Sequence, residues 1–270
     1  MQHKTLTVQD GTVHYWIEKK ENPLHCIVFT HGVTADHTMF ERQVNFFEKN
    51  YTVILWDVPL HGLSRPFRNF SYSNTAEVLH NILQEEKIEK AVLIGMSMGG
   101  YPSQHFAALY PEMVDGFVAL DTTPLGIKYY SKSDIWWLKR VATIAKLFPE
   151  KALKKSMAWS VSETRYSYQK MIDMLTPLTK NEIAEQMRVA YEYFLYENKD
   201  VTFSFPVLIL VGDKDQTGKV KNYCKKWSKD TGYPLHYIKK AKHLSNCDNP
   251  EQVNAEIEMF ITRNIYKMDF

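Results

Sequence analysis

Apolar and polar side chains alternate over residues 5–8 and 12–18, and Asp10-Gly11 between them is a tight-turn pair, so the chain is expected to open on an antiparallel hairpin. After the hairpin the pattern changes. Six short runs, at 26–30, 52–56, 91–95, 116–120, 207–211 and 235–238, are apolar almost throughout and bounded by turn residues. Such runs read as strands covered on both faces. Segments with helical spacing separate most of them, notably 37–48, 74–86 and 98–110. The expected class is therefore α/β, a mostly parallel central sheet of about eight strands with helices on both faces.

The rhythm breaks between residues 124 and 205, where aromatics, lysines and helical periods continue without a convincing strand. Asp121-Thr122-Thr123-Pro124 follows one strand and Phe205-Pro206 introduces the next, so this stretch leaves and re-enters the sheet at neighbouring points. The expected organisation is a core domain of residues 1–123 and 206–270 with a helical cap, 124–205, inserted over it. The basic cluster at residues 151–155 reads as a solvated helical face.

Composition narrows the partners. Of 270 residues, 33 are basic and 31 acidic, leaving a formal +2 that supplies no long-range field for nucleic acid or an anionic membrane. Neither is expected as a partner; a small-molecule substrate is, and monomer and dimer stay open. Met1-Gln2-His3-Lys4 lacks the apolar core and small-residue cleavage site of a secretion signal, and no apolar run is long enough to span a bilayer. Cys26, Cys224 and Cys247 are odd in number and lack metal-type spacing, which predicts reduced thiols in a reducing, cytoplasmic compartment.

Candidate chemistry centres on Gly95-Met96-Ser97-Met98-Gly99-Gly100, a G-x-S-x-G sequence between an expected strand and an expected helix. A sharp strand-to-helix turn strains the serine backbone, and small residues two positions either side let neighbouring segments approach. Ser97 would stand above the sheet as a nucleophile, facing the positive end of the following helix. Helix capping is its duller role.

A serine hydroxyl needs a base, and of ten histidines His243 is best placed, in a loop after the strand at 235–238 and before a helix starting near Asn249-Pro250-Glu251. Gly212-Asp213-Lys214-Asp215 follows the preceding strand and supplies the orienting acid. Asp215 is favoured by reach and Asp213 for shaping the turn; Asp121 is a weaker third candidate.

These blocks, together with His31-Gly32-Val33 and Asp57-Val58-Pro59-Leu60-His61-Gly62-Leu63-Ser64, resemble the α/β-hydrolase family over nearly all the chain except the insertion. The resemblance implies a Ser97–Asp215–His243 triad and an oxyanion hole made by the backbone N–H groups of Val33 and Met98. It implies no metal and no organic cofactor, and marks the 57–64 block as scaffold. Lys242 stands where many relatives have glycine.

That machinery fits hydrolysis of a small ester, lactone or thioester with an apolar part, through an acyl-enzyme. The insertion carries Tyr129, Tyr130, Trp136, Trp137, Phe148, Trp159, Tyr166 and Tyr168, of which Trp136, Trp137 and Trp159 are the candidate substrate contacts. A second reading is carbon–carbon cleavage or elimination on a carboxylated substrate, as in dienone hydrolases or a menaquinone-pathway synthase, with Arg140, Arg165 or Arg188 as the clamp. A ligand-binding, receptor-like protein is a third.

Overall fold

The computed structural model describes residues 1–21 and 25–265, so the last five residues of the expected core domain lie outside the described residues. Eight strands form one sheet: β1 (Gln2–Val8), β2 (Gly11–Glu18), β3 (Cys26–Thr30), β4 (Thr52–Trp56), β5 (Ala91–Met96), β6 (Val114–Leu120), β7 (Val207–Gly212) and β8 (Leu235–Ile238). Their order is β1-β2-β4-β3-β5-β6-β7-β8; β1, β2 and β4 pair antiparallel and every other pair is parallel.

The continuous apolar runs follow from a core on both faces. Along β3, β4 and β5, Val28, Ile54 and Leu93 pack into one cluster while Ile27, Phe29, Val53, Leu55, Val92 and Ile94 pack into the other. A strand's side chains alternate between faces, so every position must be apolar when both faces are covered. The hairpin is different. β1 begins three residues before the alternating stretch, because the edge strand is extended by backbone pairing such as Gln2 with Ile17 and His3 with Trp16 rather than by burial.

Caps shift several helix boundaries. The helix expected at 74–86 runs Tyr72–Glu85, since Ser71 caps it by accepting the Asn74 N–H at 3.0 Å. The one expected at 37–48 divides into a tight 3-10 turn, His37–Phe40, and a helix, Glu41–Phe47. Between β6 and β7 the described residues contain no strand but five α-helices, Lys132–Leu138, Val141–Ala145, Glu150–Val161, Arg165–Leu175 and Lys180–Tyr196. The first and the last two of these start on reciprocal capping boxes, Ser131 with Asp134, Thr164 with Ser167 and Thr179 with Glu182. Arg65–Glu182 at 2.8 Å and Gln186 Nε2 donating to the Leu60 carbonyl at 2.8 Å tie this segment to the loop after β4.

Candidate active site

Ser97 sits at the junction of β5 and the helix Gly100–Leu109, with φ +51° in the left-handed region. Such a conformation strains a residue with a Cβ, and close packing around it holds the turn. A Cβ on Gly99 would lie 2.1 Å from the Thr30 carbonyl oxygen at the end of β3, so the turn is pressed directly onto the neighbouring strand. Thr122 Oγ1 donates to the Ser97 carbonyl at 2.6 Å and anchors it from the end of β6.

His243 comes from the loop after β8. Its Nε2 lies 2.8 Å from Ser97 Oγ and its Nδ1 lies 2.9 Å from Asp215 Oδ2. With a carboxylate at Nδ1, that nitrogen donates its hydrogen and Nε2 is left to accept the Ser97 proton. Asp215 leaves β7 through a turn in which its own N–H reaches the Gly212 carbonyl, and its Oδ1 accepts the Thr217 N–H at 2.7 Å. Burial alone would lower the His243 pKa, but the Asp215 charge and hydrogen bond outweigh it and raise it; the same pairing outweighs burial at Asp215 and keeps its carboxyl below the ordinary range. Unpaired, either charge would be expelled from a site this dry.

The other acids have different partners. Asp213 Oδ1 accepts the Ala241 N–H at 3.2 Å, a turn-shaping contact. Asp121 is fully buried behind the histidine, where Oδ1 accepts the Gly212 N–H at 2.8 Å and Oδ2 accepts the Ser245 hydroxyl and N–H. Burial, then the nearby Asp215 charge, pushes its carboxyl up to about 8. Asp121, Asp215 and His243 present ligand-type atoms within 4.8 Å of one another. Each is already engaged by hydrogen-bond donors or by its neighbour, a donor set suited to passing a proton rather than caging a cation.

The 57–64 block is backbone support. Asp57 accepts the His37 and Leu63 N–H groups at 2.8 and 2.7 Å, His31 Nε2 accepts the Val58 N–H at 3.0 Å, and His61 Nδ1 faces the Pro59 carbonyl at 3.1 Å. Burial drives the His61 imidazole down to about 3, so it stays neutral.

A cavity of about 460 Å³ opens in front of Ser97. Val33, Met98 and His243 line it with Ser97, and its walls carry Tyr101, Tyr130, Trp137, Leu138, Tyr191, Phe194 and Tyr223. Of the three tryptophans named from sequence, only Trp137 is on this wall. Trp136 and Trp159 are off it: Arg140 covers the Trp136 ring at 4.2 Å, and Trp159, 70% exposed, lies under Lys242 at 4.6 Å. Arg140, Arg165 and Arg188 are also off the wall, Arg188 being held between Glu185 and Glu192. Amphipathic helices expose some aromatics and bury others according to packing, which the composition of the insertion does not encode. Tyr191, Phe194, Tyr223 and the Asp134–Lys219 ion pair at 2.6 Å were not singled out in the sequence; Tyr191 and Phe194 sit one helical turn apart, a spacing shared by many core pairs.

A family model described as the α/β-hydrolase fold matches residues 26–250. The chain belongs to the α/β-hydrolase family. Among the family's curated members, 3-oxoadipate enol-lactonase 1 of Acinetobacter baylyi is 26% identical over 264 residues, covering 93% of this chain and 91% of the relative. The 2-(acetamidomethylene)succinate hydrolase of Mesorhizobium japonicum is 27% identical over 257 residues, covering 90% of each. A thermophilic esterase from Thermogutta terrifontis superposes with a TM-score of 0.79 at 20% identity, covering 98% of this chain and 100% of that one, a likeness of fold. None of the described helices of this family member is long and apolar enough to cross a membrane.

Proposed function

We propose that this α/β hydrolase cleaves a small neutral ester, lactone or thioester through an acyl-enzyme on Ser97. The observation that carries the reading is the continuous hydrogen-bond path from Ser97 Oγ through His243 to Asp215, at 2.8 and 2.9 Å. His243 takes the Ser97 proton as the hydroxyl attacks the carbonyl, Asp215 balances the imidazolium, and the proton then passes to the leaving group. The same imidazole activates water to release the acid. The Val33 and Met98 N–H groups face the carbonyl oxygen as it becomes negative, where each donor is worth roughly a hundredfold or more in rate. The helical segment 124–205 acts as a cap whose Trp137, Leu138, Tyr191 and Phe194 hold the apolar part.

A neutral substrate is favoured over a carboxylated one because, among the described lining residues, Lys219 is the lysine or arginine present and Asp134 already holds it at 2.6 Å. A carboxylate here would meet a filled ion pair instead of a clamp. The lactonase among the similar proteins supports an ester-type bond.

The test is turnover of short p-nitrophenyl esters together with a phosphonate label. Ser97→Ala is expected to lower kcat by roughly 10⁴-fold or more with the fold intact. Undiminished turnover, or a label on another residue, refutes the assignment.

A further inference from the structure

The acid behind the histidine is not used by the mechanism above. Asp121 directly follows β6, Asp215 follows β7 and His243 follows β8, and these three strands are adjacent in the sheet. Their side chains are buried and carry ligand-type atoms within 4.8 Å of one another. Asp121 is held by the Gly212 N–H and by Ser245, two residues beyond His243, so one carboxyl is bound to both loops that deliver the working pair. The titratable groups facing it are Asp215, His243 and, from the helix Val220–Thr231, Cys224.

We propose that Asp121 is a second positioning acid for His243, able to supply the negative charge opposite the imidazolium when Asp215 cannot. This rests on the Ser97–His243–Asp215 reading. In the intact site one carboxylate suffices, and two negative charges this close oppose each other, so Asp121 keeps its proton on Oδ2, and in that form Oδ2 donates to the Ser245 hydroxyl oxygen instead of accepting from it. Remove Asp215, and Asp121 gives that proton to water as the imidazolium forms.

The geometry separates two substitutions of Asp215 in an unusual order. Asp215 Oδ1 accepts the Thr217 N–H at 2.7 Å. An asparagine therefore keeps its oxygen towards Thr217 and turns its NH₂ towards His243 Nδ1. That nitrogen must then accept, which leaves the proton on Nε2, where it blocks transfer from Ser97; neutralising the acid in this way costs about ten-thousandfold. Alanine imposes no tautomer. The form with hydrogen on Nδ1 is populated again, and the Asp121 carboxylate at this range favours it, recovering about a hundredfold of that loss.

The experiment compares kcat on one short p-nitrophenyl ester across pH for Ser97→Ala, Asp215→Asn, Asp215→Ala, Asp121→Asn and the double variant Asp121→Asn/Asp215→Ala, with and without formate. Expected are a fall of about a hundredfold in Asp215→Ala, about ten-thousandfold in Asp215→Asn, and less than about tenfold in Asp121→Asn. The double variant falls to the level of Asp215→Asn, keeps only the rise in rate with pH that His243 itself gives while losing the further rise from Asp121 in Asp215→Ala, and recovers when formate fills the vacated site, which shows that its fold is intact. Equal loss in Asp215→Ala and Asp215→Asn overturns the proposal, as does a double variant no worse than Asp215→Ala or one that formate fails to rescue. Activity persisting in Ser97→Ala overturns the underlying triad reading instead.

Discussion

Replacing Gly99 by alanine tests whether the nucleophile turn depends on contact with the neighbouring strand. The added Cβ would lie 2.1 Å from the Thr30 oxygen and 2.6 Å from the His31 oxygen. Both are backbone atoms, so no rotamer change relieves the overlap; the start of the helix Gly100–Leu109 must part from the end of β3 by roughly an ångström, given that carbon and oxygen pack at about 3.5 Å. Overpacking a core typically costs 1–3 kcal/mol, and a rigid backbone contact places this case at about 3 kcal/mol. For a chain of this size that is a fall in Tm of roughly 6–12 °C. The same shift moves His31-Gly32-Val33 away from Ser97, and an ångström of misplacement costs about a hundredfold in rate. Gly232→Ala is the control: its φ is +78°, no atom lies within 4 Å of the added carbon, and it caps the end of the helix Val220–Thr231, outside the residues that line the cavity. It is expected to cost about 1 kcal/mol through backbone strain alone and to leave turnover unchanged. Thermal unfolding and ester turnover measured on both variants decide the matter. A Gly99→Ala protein with Tm within about 2 °C and rate within about twofold of wild type would refute the reasoning.

Three further outcomes follow from the site. The raised His243 pKa means that the neutral base is lost as pH falls, so kcat/KM should decline on the acid side with a midpoint above 6.5, and a midpoint at or below 6.5 would contradict the Asp215 pairing. His61 is depressed to about 3 from 6.5, so the folded state refuses a proton that the unfolded state takes up below 6.5. Wild type should therefore lose about 2 kcal/mol of stability relative to His61→Asn between pH 6.5 and 5, measured by urea unfolding; parallel pH curves for the two proteins would count against a buried neutral imidazole. Trp137→Ala should raise KM for apolar esters about tenfold while Trp159→Ala does not, and equal effects would place the substrate elsewhere.

Sequence alone determined the strands and pointed to Ser97, Asp215 and His243 as one candidate group. Continuous apolar runs report burial on both faces because strand side chains alternate, and the boundaries of β3, β4 and β8 coincide with those runs. Ser97 was legible through its glycines, Asp215 and His243 through their places after β7 and β8, because the demands on those positions are local: a strained turn, and loops at one edge of the sheet. Tertiary structure alone decided the wall of the cavity. Tyr191, Tyr223 and Lys219 meet Trp137 from separate elements, whereas Trp136 and Trp159 turn away, a result of how amphipathic helices pack. The burial of Asp121 beside Asp215 and His243 belongs to the same class, since it arises from the adjacency of β6, β7 and β8, and pairing order across a sheet is a property of long-range contacts rather than of any short stretch of chain.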